Sequence, residues 1–527
     1  MSSLPPLITG LLKPQAYPHP TGAIKLIETH ISWVLLTGDY VYKIKKLVSL
    51  GFLDFSTLER RQACCAEEVR LNSRFAPELY LGVVTITGTE STPQLCGEGQ
   101  PLEWAVKLQQ FDEANQLDRL LEAGKLTTAD CERMAAEIAA VQGRLAIAAG
   151  EQPWGTPTLF LETVGMNLDQ LVAARSAAAA RADQLRQWFH GEIDKHHNVL
   201  RARRATGKVR ECHGDLHLAN LVMHEGRPLA FDGIEFSESL RWIDVASDIA
   251  FLVMDLHARG RADLAARVRS SWIEAANDHA AAAVLPLYTV YRSIVRAAVA
   301  AIRQQQAEQA GDAPVARAMA VESDRYLDLA EHLAAPRLPR LFVTSGISGS
   351  GKTTVAGQVI DACGAVRIRS DVERKRLAGL SPTERTADEV AVADLYSETM
   401  TNRVYRQLAE RAATLLEAGQ TVVIDATCLK RSHRRVFTEL ATANQVPLVW
   451  LACELSLEEA ERRLAARHAA GDDASDASVA IARNQYEAAE PIEADECAGG
   501  AASQRIRLNE LADTAAVLFR QEMTGGT

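Results

Sequence analysis

His213-Gly-Asp-Leu-His-Leu-Ala-Asn220, written HGDLHLAN, decides how the first half of the chain is read. It packs two histidines, one aspartate and one asparagine into eight residues. Three chemistries compete for it. A metal site would use His213 and His217 at i, i+4 spacing, but no HExxH and no cysteine partner accompanies them. A purely structural turn is the second reading. The third is the catalytic loop of a protein-kinase-like fold, in which an aspartate is followed five residues later by an asparagine. Asp215 and Asn220 keep that step. Its physical cause is that the aspartate must orient or accept the acceptor hydroxyl proton while the asparagine reaches Mg²⁺ from the same short loop. A second metal carboxylate should then follow on a nearby strand. Asp232, in Phe231-Asp-Gly233, comes twelve residues past Asn220, after the apolar run Arg227-Pro-Leu-Ala230. On this reading His213 and His217 are scaffolding for the loop.

The rest of such a fold should lie upstream. Ile31-Ser-Trp-Val-Leu-Leu36 and Tyr40-Val-Tyr-Lys-Ile44 are β-rich runs joined by Thr37-Gly-Asp39, a hairpin signal. The second run places Val41, Lys43 and Lys45 on one face. Lys43 is the expected phosphate-binding lysine, with Lys45 the alternative. A helical stretch from Thr57 to Phe75 offers Glu67 or Glu68 as its ion-pair partner. Glu68 is favoured because Leu71 and Phe75, at i+3 and i+7, put it beside the buried stripe. Leu81 to Ile86 reads as a further strand, and Val106-Lys-Leu108 as the hinge beside an adenine, with Val106 and Leu108 touching it. No G-x-G-x-x-G precedes the lysine; Glu28-Thr-His-Ile-Ser32 occupies that place. After Phe111 the composition turns helical, so a small lobe over about 20–108 and a large lobe over about 109–335 are expected.

The prolines of Ala335-Pro-Arg-Leu-Pro339 mark a boundary, and 338–527 reads as a second domain. Strands at 340–345, near Ala365, at Thr421–Asp425 and at Leu448–Leu451 alternate with helices, the pattern of a parallel sheet. Gly346-Ile-Ser-Gly-Ser-Gly-Lys-Thr353 fits G-x-x-x-x-G-K-[ST] between a strand and a helix. Backbone N–H groups over Gly346, Ser348, Gly349, Ser350, Gly351 and Thr354 would curl round a triphosphate. Lys352 would reach the β- and γ-phosphates and the Thr353 hydroxyl would ligate Mg²⁺. Asp371 is placed to accept a proton from a substrate hydroxyl and Arg374, three residues on, to hold an anionic substrate group. Asp425 ends a β run where a carboxylate can orient Mg²⁺ or its water. Among Arg462, Arg463 and Arg467, Arg467 lies nearest a polar loop and is the first choice for a lid arginine acting on the transferred phosphoryl group.

Bulk properties narrow the class. A chain of 527 residues exceeds one hydrophobic core. Apolar content of 47% and charged content of 24% are those of a soluble globular protein. A net charge of −11 argues against a general polyanion-binding surface, with Arg431, Arg434 and Arg435 the cluster that would face nucleic acid. Nine scattered cysteines without CxxC spacing read as reduced thiols, and no signal-peptide pattern opens the chain. The apolar run from Ala280 to Ile302 is broken by Pro286, Arg292 and Arg296, so it reads as a core helix and not a membrane span. A cytoplasmic location and no membrane partner are expected; the oligomeric state is left open.

HGDLHxxN with no glycine-rich loop makes residues 1–335 resemble the aminoglycoside phosphotransferase family, which includes choline, homoserine and other small-molecule kinases. The resemblance implies that Asp215 is the catalytic base and that Asn220 and Asp232 hold Mg²⁺. It also implies that an acid within Arg241–Asp248, here Asp248, braces the catalytic loop. GISGSGKTT, SDVERKR, VVIDAT and the region from RLAAR to Gln485 make 338–527 resemble the small P-loop kinases grouped with gluconate and polynucleotide kinases. There, the matching implies that Asp371 faces the acceptor hydroxyl and Arg374 binds acceptor anions. The whole chain resembles a bacterial family fusing the two domains. The implied fold is an α+β, bilobal kinase-like domain followed by an α/β P-loop domain. The implied function is transfer of γ-phosphoryl groups from ATP, or GTP, with Mg²⁺, to hydroxyls of sugar-, amino-sugar- or nucleoside-like small molecules. The competing expectations are that one domain is a nucleotide-binding sensor, or that the P-loop domain acts on nucleic-acid ends or nucleotide-sugars.

Overall fold

The structure, a computed structural model, describes residues 4–49, 54–381, 394–470, 479–493, 496 and 502–507, with the side chains of 467–470 and 502–507 outside the description. The chain forms two compact units: residues 1–255 with 291–326, and residues 256–290 with 327–527.

The first unit begins with a six-stranded antiparallel sheet. Its strands are β1 (Lys25–Glu28), β2 (Ser32–Leu36), β3 (Tyr40–Lys45), β4 (Tyr80–Thr89), β5 (Thr92–Leu95) and β6 (Glu103–Gln109), in the order β1-β2-β3-β6-β4-β5. β2 and β3 form the hairpin expected from Thr37-Gly-Asp39. Alternation along β3 divides its side chains between two cores. Tyr42 and Ile44 face Ile8, Leu11, Tyr17 and Leu35. Val41 faces Cys65, Tyr80, Val106 and Leu229, the side where the helix Leu58–Asn72 lies. That period of two delivers both Lys43 and Lys45 to the helix side of the sheet. The helix starts where Thr57 accepts a hydrogen bond from the Arg60 N–H (3.3 Å), an N-cap.

The larger part of this unit is mainly helical and carries two short β-ribbons. β7 (Val209–Glu211) pairs with β10 (Trp242–Asp244), and β8 (Leu221–His224) with β9 (Arg227–Ala230). Glu225 and Gly226 turn the β8–β9 hairpin with φ of 49° and 77°, the left-handed pair that two-residue hairpins favour. This hairpin is the physical content of the twelve-residue spacing: two four-residue strands and a tight turn return the chain to its start. The Phe231 N–H accordingly donates to the Asn220 carbonyl (2.9 Å), leaving Asn220 and Asp232 side by side.

The second unit holds a five-stranded parallel sheet: β11 (Leu341–Ser345), β12 (Val366–Arg369), β13 (Val422–Asp425), β14 (Leu448–Glu454) and β15 (Ala502–Arg507), in the order β12-β13-β11-β14-β15. β11 is buried along its whole length, as a central parallel strand must be, and its last residue leads directly into the glycine-rich loop. Residues 256–290 belong with this sheet and not with the segment preceding them. Ala266 sits in the core formed by Phe342, Val355, Val359, Ile360 and Leu451. The units therefore divide differently from the proline-rich stretch at 335–339. Among the described residues one helix, Leu285–Gln309, is long and apolar enough to span a membrane, but 72% of its apolar window is buried within the protein.

Candidate active sites

In the first unit the residues singled out from sequence converge. Lys43 Nζ donates to Glu68 Oε1 (2.9 Å) and pairs with Asp232. Asn220 Nδ2 donates both to the Asp215 carboxylate and to its main-chain carbonyl, each at 3.0 Å. Asp232 takes the left-handed conformation (φ 61°), a strained setting for a non-glycine residue that aspartate tolerates better than most. It is held there by neighbours on both sides: its N–H donates to Tyr80 Oη (3.0 Å) and the Gly233 N–H to Asn72 Oδ1 (2.7 Å). Val106 and Leu108 lie inside β6, buried in the cluster that contains Leu229.

The HGDLHLAN loop is fixed mostly through its backbone. Asp248, fully buried, accepts from the N–H groups of Gly214 (2.9 Å) and His213 (3.4 Å). Asp255 accepts from the Leu218 N–H (3.0 Å), and Arg292 donates to the Gly214 carbonyl (3.1 Å). His213 is buried, its Nε2 within 2.9 Å of the Phe231 carbonyl, and burial lowers its basicity. His217 is different, since its Nε2 lies 3.4 Å from Asp215. Burial opposes a charge on His217, but Asp215 and Asp255 override it and raise its pKa. Burial likewise opposes ionisation of Asp215, and His217, His213 and Arg296 together hold that carboxyl well below the usual range.

Sequence reasoning left Lys43 and Lys45 as alternatives; the geometry separates them. Lys45 is wholly buried between Glu68 (2.5 Å) and Glu235, whereas the Lys43 side chain keeps 13% of its surface open. Only Lys43 has room for a further acceptor. Glu235 was missed, although it stands three residues beyond Asp232.

In the second unit a cavity of about 320 Å³ is lined by Ser348, Gly349, Lys352, Thr353, Asp371, Arg374 and Asp425, with Tyr396, Tyr405, Lys430, His433 and Gln485 among the remaining walls. The loop backbone explains its glycines. At Gly346 (φ 148°) a Cβ would come within 2.6 Å of the Cys453 carbonyl, so no larger residue fits. Gly351 (φ 88°) is the N-cap of the helix Lys352–Cys363, and Thr354 is exposed in its first turn. Ser350 Oγ is buried without a hydrogen-bond partner among the described residues, and the Ser348 N–H is capped by Gln485 Oε1 (2.7 Å).

Asp425 is buried beside Lys352, Arg367, Thr353 and Asp371; burial raises its pKa more than the cations lower it. Arg374 is also buried. Its Nη1 donates to the Leu395 carbonyl (2.6 Å), its guanidinium lies 4.8 Å from the Tyr396 ring, and its Nε has no partner among the described residues. Arg467 falls in the helix Leu457–Ala470, but its side chain lies outside the described residues. Arg434 is not part of a surface cluster. It is fully buried, paired with Glu496 (2.7 Å), and donates to four main-chain carbonyls.

Oxygen donors dominate both sites, the set that Mg²⁺ prefers. Asn220 and Asp232 adjoin in one, Thr353 and Asp425 in the other.

Residues 41–285 match the family model described as the phosphotransferase enzyme family, and residues 341–492 the one described as an AAA domain. Uncharacterized proteins of Mycobacterium tuberculosis and Mycobacterium bovis are 29% identical to the chain over 468 residues, covering 88% of this chain and 90% of theirs. Among solved structures, the GDP complex of aminoglycoside 2′-phosphotransferase-IIIa aligns with 60% of this chain and 94% of its own at 14% identity, with a TM-score of 0.35. A gluconokinase from Sinorhizobium meliloti aligns with 35% of this chain and 90% of its own at 22% identity, with a TM-score of 0.24.

Proposed function

Because the chain joins a phosphotransferase-family domain to an AAA domain of P-loop kinase type, we propose that it is a bifunctional ATP- and Mg²⁺-dependent phosphotransferase. Each unit would move a γ-phosphoryl group to a hydroxyl of its own small-molecule acceptor, a sugar, amino-sugar or nucleoside-like compound. GTP is the alternative donor. The observation that carries the reading is that Lys43, Glu68, Asp215, Asn220 and Asp232, spread over 190 residues, meet at one place with complementary charges.

At the first site Asn220 and Asp232 would hold Mg²⁺, and at the second Thr353 and Asp425 would do so; the ion supplies charge neutralisation across the phosphates. The protein's own groups do the rest. Lys43, tied from behind to Glu68, presents its remaining donors to phosphate oxygens. Asp215 is ionised across the neutral range, so it would accept a hydrogen bond from the acceptor hydroxyl, orient it, and take the proton as the new O–P bond forms and the bond from the γ-phosphorus to the bridging oxygen breaks, releasing the nucleoside diphosphate. Such a weak base suits a loose transition state in which proton transfer is late. At the second site Lys352 and the loop N–H groups would cradle phosphates, Asp371 would face the acceptor hydroxyl, and Arg374 would hold an anionic acceptor group. Arg467 is kept as the lid arginine.

The eight described cysteines form no disulfide with one another, which fits a cytoplasmic enzyme. ADP release measured with a panel of sugars, amino-sugars and nucleosides tests the proposal. Release above background with at least one compound supports it, and background rates throughout oppose it.

A further inference from the structure

β12 is one edge strand of the parallel sheet, and it ends two residues before Asp371. An edge strand presents unpaired backbone groups that a protein must cover. Here the cover comes from about a hundred residues upstream, from the helix Ala262–Ala275, which lies outside the 341–492 AAA match. The Arg367 N–H donates to Ser270 Oγ (2.9 Å) on that helix. Arg267 pairs with Asp361 (Nη2 to Oδ2, 2.8 Å) and passes over Gly357, where a Cβ would meet its guanidinium at 2.6 Å. Glu274, near the end of the helix, pairs with Arg369 (Nε to Oε2, 2.9 Å), and its main-chain carbonyl accepts from Arg376. Arg369 lines the same cavity as Asp371 and Arg374. The Glu274 side chain is 13% exposed and that of Arg369 28%, so the carboxylate stands behind the arginine and not in the cavity.

We infer that Glu274 is a positioning residue for the acceptor side of the P-loop site: its carboxylate grips Arg369, the N-cap of the helix Ser370–Leu377, and so fixes the end of β12, the start of that helix and the place of Asp371, while its main-chain carbonyl holds Arg376 near the helix end. This rests on the kinase reading of the second unit. One helix from within the phosphotransferase-family match thus backs the wall of the P-loop site. Arg369, being neutralised by Glu274, serves as a wall and not as an open anion site.

The test uses the full-length chain with Asp215→Ala, so that transfer from radiolabelled ATP to a low-molecular-weight metabolite extract reports the P-loop site alone. Glu274→Gln should raise the extract concentration giving half-maximal rate about tenfold, the size of one weakened charge-assisted hydrogen bond. Binding of a fluorescent ATP analogue, with Lys43→Met closing the other site, should stay unchanged, and the swapped pair Glu274→Arg with Arg369→Glu should recover most of the loss. Unchanged half-saturation in Glu274→Gln, or an equal loss of nucleotide binding, overturns the inference. Should the Asp215→Ala chain transfer nothing at all, the kinase reading of this unit fails, and amide hydrogen exchange decides the positioning role by itself. Faster exchange over residues 366–376 in Glu274→Gln supports it, and unchanged protection there refutes it.

Discussion

Replacing Glu68 by glutamine removes one carboxylate from between two buried lysines. Glu68 accepts from Lys43 at 2.9 Å and from Lys45 at 2.5 Å, and the three side chains are 1%, 13% and 0% exposed. Breaking a buried pair from one side costs about 3–5 kcal/mol, because the partner charge is left unmatched. Here Lys43 keeps Asp232 and Lys45 keeps Glu235, which places the cost at the lower end, about 3 kcal/mol. For a unit of this size that is a melting temperature lower by about 6–12 °C. Burial pushes the Glu68 carboxyl up, but Lys43 and Lys45 outweigh it and bring the pKa down to about 2. The stabilisation is therefore full above the unfolded value near 4.5 and is lost as pH falls through about 2. Differential scanning fluorimetry of wild type and Glu68→Gln should show a constant gap from pH 5 to pH 8 that closes only in acid. Lys43 would turn wholly to Asp232, so transfer dependent on Asp215 should fall at least about tenfold while transfer dependent on Lys352 persists. A melting temperature within the error of wild type, with unchanged Asp215-dependent transfer, would refute the reasoning.

Other perturbations separate fold from function. The Asp425 pKa is raised by burial above its unfolded value near 3.8, so its ionised form opposes folding at neutral pH and ceases to do so below that value. Asp425→Asn should accordingly gain about 1 kcal/mol, or about 2–4 °C in scanning fluorimetry, while abolishing Lys352-dependent transfer. Arg434→Met leaves Glu496 and four carbonyls without their donor, and should cost about 3–5 kcal/mol by urea unfolding, a loss that added oligonucleotide does not change. Gln485→Ala frees the Ser348 N–H for a phosphate oxygen, so titration with a fluorescent ATP analogue in a Lys43→Met background should show binding about two- to tenfold tighter. Weaker binding would mean that Gln485 contacts the nucleotide.

The parts legible from sequence are those whose geometry is local. Asp215 and Asn220 share one loop, and a two-residue turn joins the strands that return Asp232 to them. Lys43 followed from a period of two along β3, and Glu68 from the buried stripe of its helix. What stayed hidden is set by pairs distant in sequence. Lys45 could not be separated from Lys43 because the difference lies in Glu235, 190 residues away. The helix Ala262–Ala275 reads as one more amphipathic helix, and nothing local marks it as the cover of β12. Arg434 was grouped with Arg431 and Arg435 by adjacency. Phe437, at i+3 and fully buried, was the available signal that Arg434 shares the inner face.

The central claim, two independent phosphoryl-transfer sites in one chain, is tested most directly by mass spectrometry of a metabolite extract incubated with ATP and wild-type, Asp215→Ala or Lys352→Ala protein. The account predicts phosphorylated products in the wild-type reaction, one set lost with Asp215→Ala and a second lost with Lys352→Ala. If Asp215→Ala leaves every phosphorylated product unchanged, the first unit is a sensor and the claim is contradicted.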